Sequence, residues 1–268
     1  MNRSVKRLVI LFIYVLMLFF FVYGIYSIVK PEPNCFDGIK NQNEEKVDCG
    51  GVCEVCAKEI VAEDVEILSK DAVYGGEGLY DVLIKIKNPN SKYGSGDLKY
   101  VIYLRDSDGN NIAERSGSGY ILPRETKYIL ETNLESSINP SQIYIELEEN
   151  NWKETEVFEE PELNIYNKRY SSENGKSVVT GLLRNESDFD FDSVTLDIIV
   201  RDESGKPIAL NKTEMRTLLS REERDFGPPW PYEIRGNVRE IEVRAETNVF
   251  DPHNFTRSST TDGRFQEY

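Results

Sequence analysis

Residues 8–29 carry no charge over 22 positions, and no other feature of the 268-residue chain restricts its fate so strongly. At about 1.5 Å of rise per residue, a helix of that length spans a bilayer's hydrocarbon core of roughly 30 Å. Tyr23 and Tyr26 near its end suit an interfacial aromatic belt. Arg3, Lys6 and Arg7 precede the segment, and the acidic remainder follows Lys30. The positive-inside rule therefore predicts residues 1–7 as a cytoplasmic stub, 8–29 as a transmembrane helix, and all later residues on the extracytoplasmic side. A cleaved signal peptide needs an apolar core of about 7–15 residues ending in small side chains. The run here is longer, and Tyr23-Gly24-Ile25-Tyr26-Ser27 offers no such cleavage site. The expected localisation is the cell membrane, single-pass, with the bilayer as the partner of residues 8–29.

Charge narrows the remaining partners. The chain has 32 Lys and Arg against 47 Asp and Glu, for a net charge of −15. Four of the basic residues and none of the acidic ones lie at or before Lys30, so the remainder carries −19. A surface this acidic argues against nucleic acid, whose phosphates require a positive one. It keeps the chain soluble and would attract cations or a basic partner.

All four cysteines fall between residues 35 and 56, in the spacing Cys35-x13-Cys49-x3-Cys53-x2-Cys56. A zinc site built from four thiolates has the right ligand number. The extracytoplasmic placement favours two disulfides instead, which would staple a short Gly-rich module over 30–57. Three pairings are open to four cysteines, and spacing does not choose among them. Asp37, Asn41, Glu45 and Asp48 supply oxygen donors of the kind that bind calcium. They depart from the EF-hand loop, with Ile39 at its third ligand position, so the segment reads first as a turn network and no cofactor is assigned. The pattern C-x-D-G-I-x-N-x-x-E-x-x-V-D-C-G-G-x-C-x-x-C resembles a short cysteine module of bacterial and archaeal surface proteins. That resemblance implies a stapled spacer beside a membrane anchor, without catalytic residues.

Beyond Cys56 the apolar period becomes two. Leu98, Tyr100, Ile102 and Leu104 alternate as in a half-buried strand, and Val194, Leu196, Ile198 and Val200 repeat the pattern 96 positions on. Each run leads into a hairpin signal, Asp106-Ser107-Asp108-Gly109 or Asp202-Glu203-Ser204-Gly205. Lys87-Asn88 matches Arg184-Asn185, and Leu122-Pro123-Arg124-Glu125 matches Leu219-Ser220-Arg221-Glu222. The expected fold is mainly β, with two tandem antiparallel Ig-like β-sandwich domains at 58–157 and 158–250 after the helix and the disulfide-rich module. Glu-rich residues 148–162 read as an extended, self-repelling joint on which Trp152 and Phe158 pack against a domain edge. Residues 251–268 read as a disordered tail. Ile102-Tyr103-Leu104-Arg105-Asp106 and Ile198-Ile199-Val200-Arg201-Asp202 resemble the FxLYD signature of prokaryotic envelope sandwich domains, with Ile for Phe and Arg for Tyr. Asn88-Pro89-Asn90 similarly resembles the NPN run of LEA-type sandwiches. Both resemblances imply the same architecture and no catalysis.

Chemistry-bearing motifs are sparse. The sequence has no G-x-S-x-G, no H-E-x-x-H and no complete P-loop, and its one histidine, His253, lies near the C-terminus. The expectation is therefore not an enzyme. Phe226-Gly227-Pro228-Pro229-Trp230-Pro231-Tyr232 reads as a semi-rigid loop able to present Trp230 and Tyr232 to a partner, or to cap a sandwich with Trp230. Asn185-Glu186-Ser187, Asn211-Lys212-Thr213 and Asn254-Phe255-Thr256 match the N-x-S/T glycosylation sequon. The function expected is non-catalytic: a membrane-anchored envelope protein whose sandwiches bind an envelope or surface protein or act as spacers. The alternatives are an accessory or sensor subunit of a membrane complex, and a surface enzyme with an unrecognised carboxylate site.

Overall fold

A computed structural model describes residues 3–29, 34–56, 61–148, 151–155 and 161–257. The chain divides into two units, Met1–Glu59 and Ile60–Tyr268. In the first, the uncharged segment forms α1 (Arg3–Val29), long and apolar enough over Lys6–Ile28 to cross a membrane and with none of that window buried in protein. The cysteines pair Cys35–Cys53 and Cys49–Cys56, which resolves the choice that spacing left open and makes all four disulfide-bonded. A Cβ at Gly51 would strike the Asn43 backbone, and its φ is +62°, so the turn needs glycine there.

Among its described residues the second unit has strands and no helix, and it is built on a repeat. Its first half holds β1 (Glu66–Gly76), β2 (Leu79–Lys87), β3 (Tyr93–Arg105), β4 (Asn111–Ile121), β5 (Thr126–Glu135), β6 (Gln142–Leu147) and β7 (Lys153–Glu154). Its second half holds β8 (Leu163–Glu173), β9 (Lys176–Asn185), β10 (Phe189–Arg201), β11 (Pro207–Leu218), β12 (Glu223–Phe226), β13 (Pro229–Trp230), β14 (Glu240–Glu246) and β15 (Phe255–Arg257). The sheets run β1-β2-β5 and β4-β3-β6 in the first half, β12-β9-β13 with β8 on β9 and β11-β10-β14 in the second, all antiparallel. β7 pairs with the start of β3 as β15 pairs with the start of β10.

The sequence landmarks of the repeat become one hydrogen-bonded fastener used twice. Asn88 Nδ2 donates to Tyr93 O and Leu122 O at 2.7 and 2.8 Å; Asn185 Nδ2 donates to Phe189 O and Leu219 O at 2.7 and 3.0 Å. Both asparagines are wholly buried. Glu125 Oε2 accepts from Leu122 N, and Glu222 Oε2 from Leu219 N, each at 2.7 Å. Arg124 and Arg221 both take positive φ in that turn. A buried amide serves here because the crossing strands leave carbonyls that no ladder reaches.

Alternation places Val82, Ile84, Ile102 and Leu104 in one core and Val179, Leu196, Ile198 and Trp230 in another. A third apolar cluster joins the halves: Val73, Leu83, Tyr128 and Leu130 from β1, β2 and β5 meet Ile199 and Leu210 from β10 and β11. The sheets thus stack in four layers, β4-β3-β6, β1-β2-β5, β11-β10-β14 and β8-β9-β12. Each fully buried aliphatic in the seam is worth about 1.5–3 kcal/mol, so the two halves form one body.

The structure bears on three further expectations. Of the tail expected over 251–268, the described residues 251–257 are ordered: β15 pairs with β10, and Asn254 Oδ1 accepts from Ser193 N at 2.9 Å; residues 258–268 lie outside the described residues. Backbone pairing outweighs the weak apolar pattern there. In the Glu-rich joint, β7 is an extended, exposed strand that pairs with β3, and Trp152 packs on the first core, both as expected. Phe158 lies outside the described residues. Of the two places open to Trp230, the structure takes the cap and not the presented anchor: it is 2% exposed, and its Nε1 donates to Leu210 O at 2.8 Å.

Candidate functional site

The seam's charged end encloses the site. β10 alternates Leu196 and Ile198 into its own core, so Asp197 and Ile199 point to the facing repeat. Asp197 stands opposite Lys212 of β11 and Arg244 of β14 in the ladder. From the other repeat, β5 brings Lys127 and Glu131. Between these sheets lies a cavity of about 410 Å3, lined from one side by Tyr100, Tyr120 and Lys127, and from the other by Asp197, Lys212 and Glu246.

The cations here are engaged. Lys127 Nζ sits 2.6 Å from Glu246 Oε2 and 3.6 Å from the centroid of the Tyr120 ring. Lys212 Nζ donates to Leu130 O at 3.1 Å, and Arg244 Nη1 to Thr126 O at 3.3 Å. Arg201 donates to Tyr128 Oη and to Glu242 Oε2, both at 3.1 Å. These bonds tie β10, β11 and β14 of one repeat to β5 of the other.

Asp197 differs. It is 4% exposed, and its Oδ1 has no hydrogen-bond partner. Burial pushes its carboxyl up to about 7, against the opposing pull of Lys212. Burial likewise raises Asp81 on β2 to about 6, although its Oδ1 accepts from Asn133 N at 2.9 Å. Tyr100 and Tyr120 are raised by burial and by the carboxylates of Glu131 and Glu246 respectively.

The expected site residues fall elsewhere. Asp48 Oδ1 accepts from the Asp37 and Gly38 amides at 3.0 and 3.1 Å. Asp37 accepts from Ile39 N and from Asn41 Nδ2, each at 2.9 Å, and the Ile39 amide holds its carboxyl below the ordinary range. Glu44, not Glu45, is the buried acid, accepting from Asn41 N and Asp48 N at 3.2 and 3.1 Å. The oxygens proposed for calcium at Asp37 and Asp48 thus secure turns. Among the described residues, no three His, Cys, Asp or Glu form a metal-holding group. Tyr232 lies against Gly76, the end of β1 in the other repeat, and burial raises its hydroxyl to about 12. Of the sequons, Asn185 and Asn254 are buried with their amides spent on backbone carbonyls and Thr247, which closes both to glycosylation.

The seam residues carried a sequence signal. Val82-Leu83-Ile84 and Ile198-Ile199-Val200 break strict alternation with three apolar residues in a row, the mark of a strand covered on both faces. Asp197, just before the second run, carried none, since a lone acid in a strand reads as solvent-facing.

The fold and cavity define a mainly β, sandwich-forming, disulfide-bonded chain with an N-terminal apolar helix. No family model matches it, and no curated protein does. Among solved structures it is similar to the crystal structure of calcium binding domain CBD12 of CALX1.1, at 10% identity and a TM-score of 0.19, over 67% of this chain and 79% of that one.

Proposed function

We propose that this chain is a non-catalytic, single-pass membrane protein that holds a rigid, two-repeat β body on the extracytoplasmic side to engage another envelope or surface protein. The observation that carries the reading is the apolar seam, in which Leu83, Tyr128 and Leu130 pack on Ile199 and Leu210. A spacer made of independent beads has no use for a dry contact between them; a body that must present fixed surfaces does. The unburied helix Lys6–Ile28 supplies the anchor, and the Cys35–Cys53 and Cys49–Cys56 bridges suit an oxidising compartment. The resemblance of residues 35–56 to a surface-protein cysteine module points the same way. The tandem arrangement of Ig-like domains belongs to this reading.

The test is protease treatment of intact cells carrying the chain with a C-terminal tag. The expected result is a carbonate-resistant membrane protein whose tag is lost from outside and whose cysteines resist maleimide until reduced. A soluble, truncated chain starting after residue 29, or one with free thiols, would overturn it.

A further inference from the structure

The seam could have closed on apolar contact alone, yet at one end it leaves a cavity of about 410 Å3, a size that takes a small organic molecule. Five carboxylates line it: Asp97, Asp192, Asp197, Glu246 and Asp251. Glu246 is paired with Lys127, and Asp97 lies 3.4 Å from the exposed Lys99. Asp192, Asp197 and Asp251 remain against Lys212, whose ammonium group already donates to Leu130 O. His253 also lines the cavity, and three carboxylates exceed Lys212 and that histidine together, so the wall carries more acid than base after its internal pairs are set aside. Hydroxyls of Ser118, Thr195 and Thr247 line it as well.

Within that wall, Asp197 is the one acid that is deeply buried and also has an oxygen without a donor. Such an atom is costly: a buried polar group left unpaired loses about 1–3 kcal/mol, and a charged one more. The strand pairing does not call for an acid there, since Val101 occupies the equivalent position of the first repeat on β3. A hard metal ion is a poor fit, since no three acidic, His or Cys side chains converge among the described residues. An N⁺–H donor is a good one: it supplies charge and a hydrogen bond to the same carboxylate. We infer that the cavity between the repeats binds a small organic cation, whose primary ammonium group pairs with the Asp197 carboxylate on the cavity wall. This holds whether or not residues 8–29 cross a bilayer.

The ammonium group could belong to a free diamine or to an amino sugar, and the experiment separates the two. Calorimetric titration of the full chain in detergent uses putrescine and glucosamine, with 1,4-butanediol and glucose as their uncharged counterparts. Saturable binding of one amine at millimolar concentration or below is expected, with its neutral counterpart silent, and Asp197→Asn should weaken it at least tenfold. Gly119→Trp provides a second variant: a Cβ at Gly119, on the cavity wall, meets nothing within 4 Å, so the ring can fill the space without touching the acid. It should also abolish binding, and it carries the test if Asp197→Asn fails to fold. The inference is overturned if neither amine binds, if a neutral counterpart binds as well as its amine, or if binding survives in whichever variants fold.

Discussion

The two repeats share a fastener and differ in their outer faces. Position for position, Leu83 in the first repeat corresponds to Thr180 in the second, and Tyr128 to Asp225. The first of each pair is buried in the seam and the second is exposed. The opposite sheets reverse the rule: Ile199 and Leu210 of the second repeat are buried, while Glu114, the first-repeat counterpart of Leu210, is exposed. Arg201 reaches across to Tyr128 of the other repeat, whereas its counterpart Arg105 stacks 4.4 Å from its own neighbour Tyr144. One strand framework thus takes an apolar or a polar coat on its outer face, and the coat alone decides which sheets meet.

That contrast can be broken most sharply with a charge. Ile199→Asp places an unpaired carboxylate in the seam and should lower the unfolding free energy by about 3–5 kcal/mol. Tyr103→Asp, at the equivalent position of the free face, should cost only about 1 kcal/mol, the loss of its cross-strand pair with Tyr144. Denaturant titration of both decides the matter; equal effects would remove the seam as a stabilising contact.

The fasteners should behave alike where the faces do not. Asn88→Ala and Asn185→Ala each strand two buried carbonyls, so each should cost about 2 kcal/mol by the same titration. A negligible loss in one repeat would mean that the matched geometry is not matched in energy.

A smaller effect lies in the pH dependence. Asp197 in the folded chain titrates near 7, well above the ordinary carboxylate, so its protonated form is the one the fold favours. Its contribution is fully present below the unfolded carboxylate's pKa near 4 and is lost as pH rises through about 7. Lys212 and Lys127 oppose this shift, and Glu246 and Glu131 reinforce it. Stability should therefore fall with rising pH between about 4 and 7, by at most about 1.4 kcal/mol per unit from this group. Asp197→Asn should flatten that limb, while Val101→Asp on the free face should add no such slope.

The legible part of the fold was whatever neighbours in sequence control. Alternation in Leu98–Leu104 and its repeat placed the inward faces of β3 and β10, and Asp-Gly and Ser-Gly pairs placed the hairpins, because a side chain's face depends only on its position along a strand. The apolar helix followed from length and the absence of charge. The candidate site was not legible, because its parts come from distant strands: the Arg244–Thr126 bond joins residues 118 apart. Trp230 stayed open between two places for a related reason, since a Pro-rich run looks the same whether its aromatic residue faces water or the Leu210 carbonyl.

By itself, then, the sequence determined the apolar helix, the disulfide-forming module, the strand periodicity and the doubled landmarks at Asn88 and Asn185. Only the tertiary structure decided which cysteines pair, which sheet faces meet, and that Asp197 is enclosed rather than solvated. The division has one physical cause: periodicity and turn chemistry act through bonds between near neighbours, whereas burial of an outer face depends on what another part of the chain brings against it.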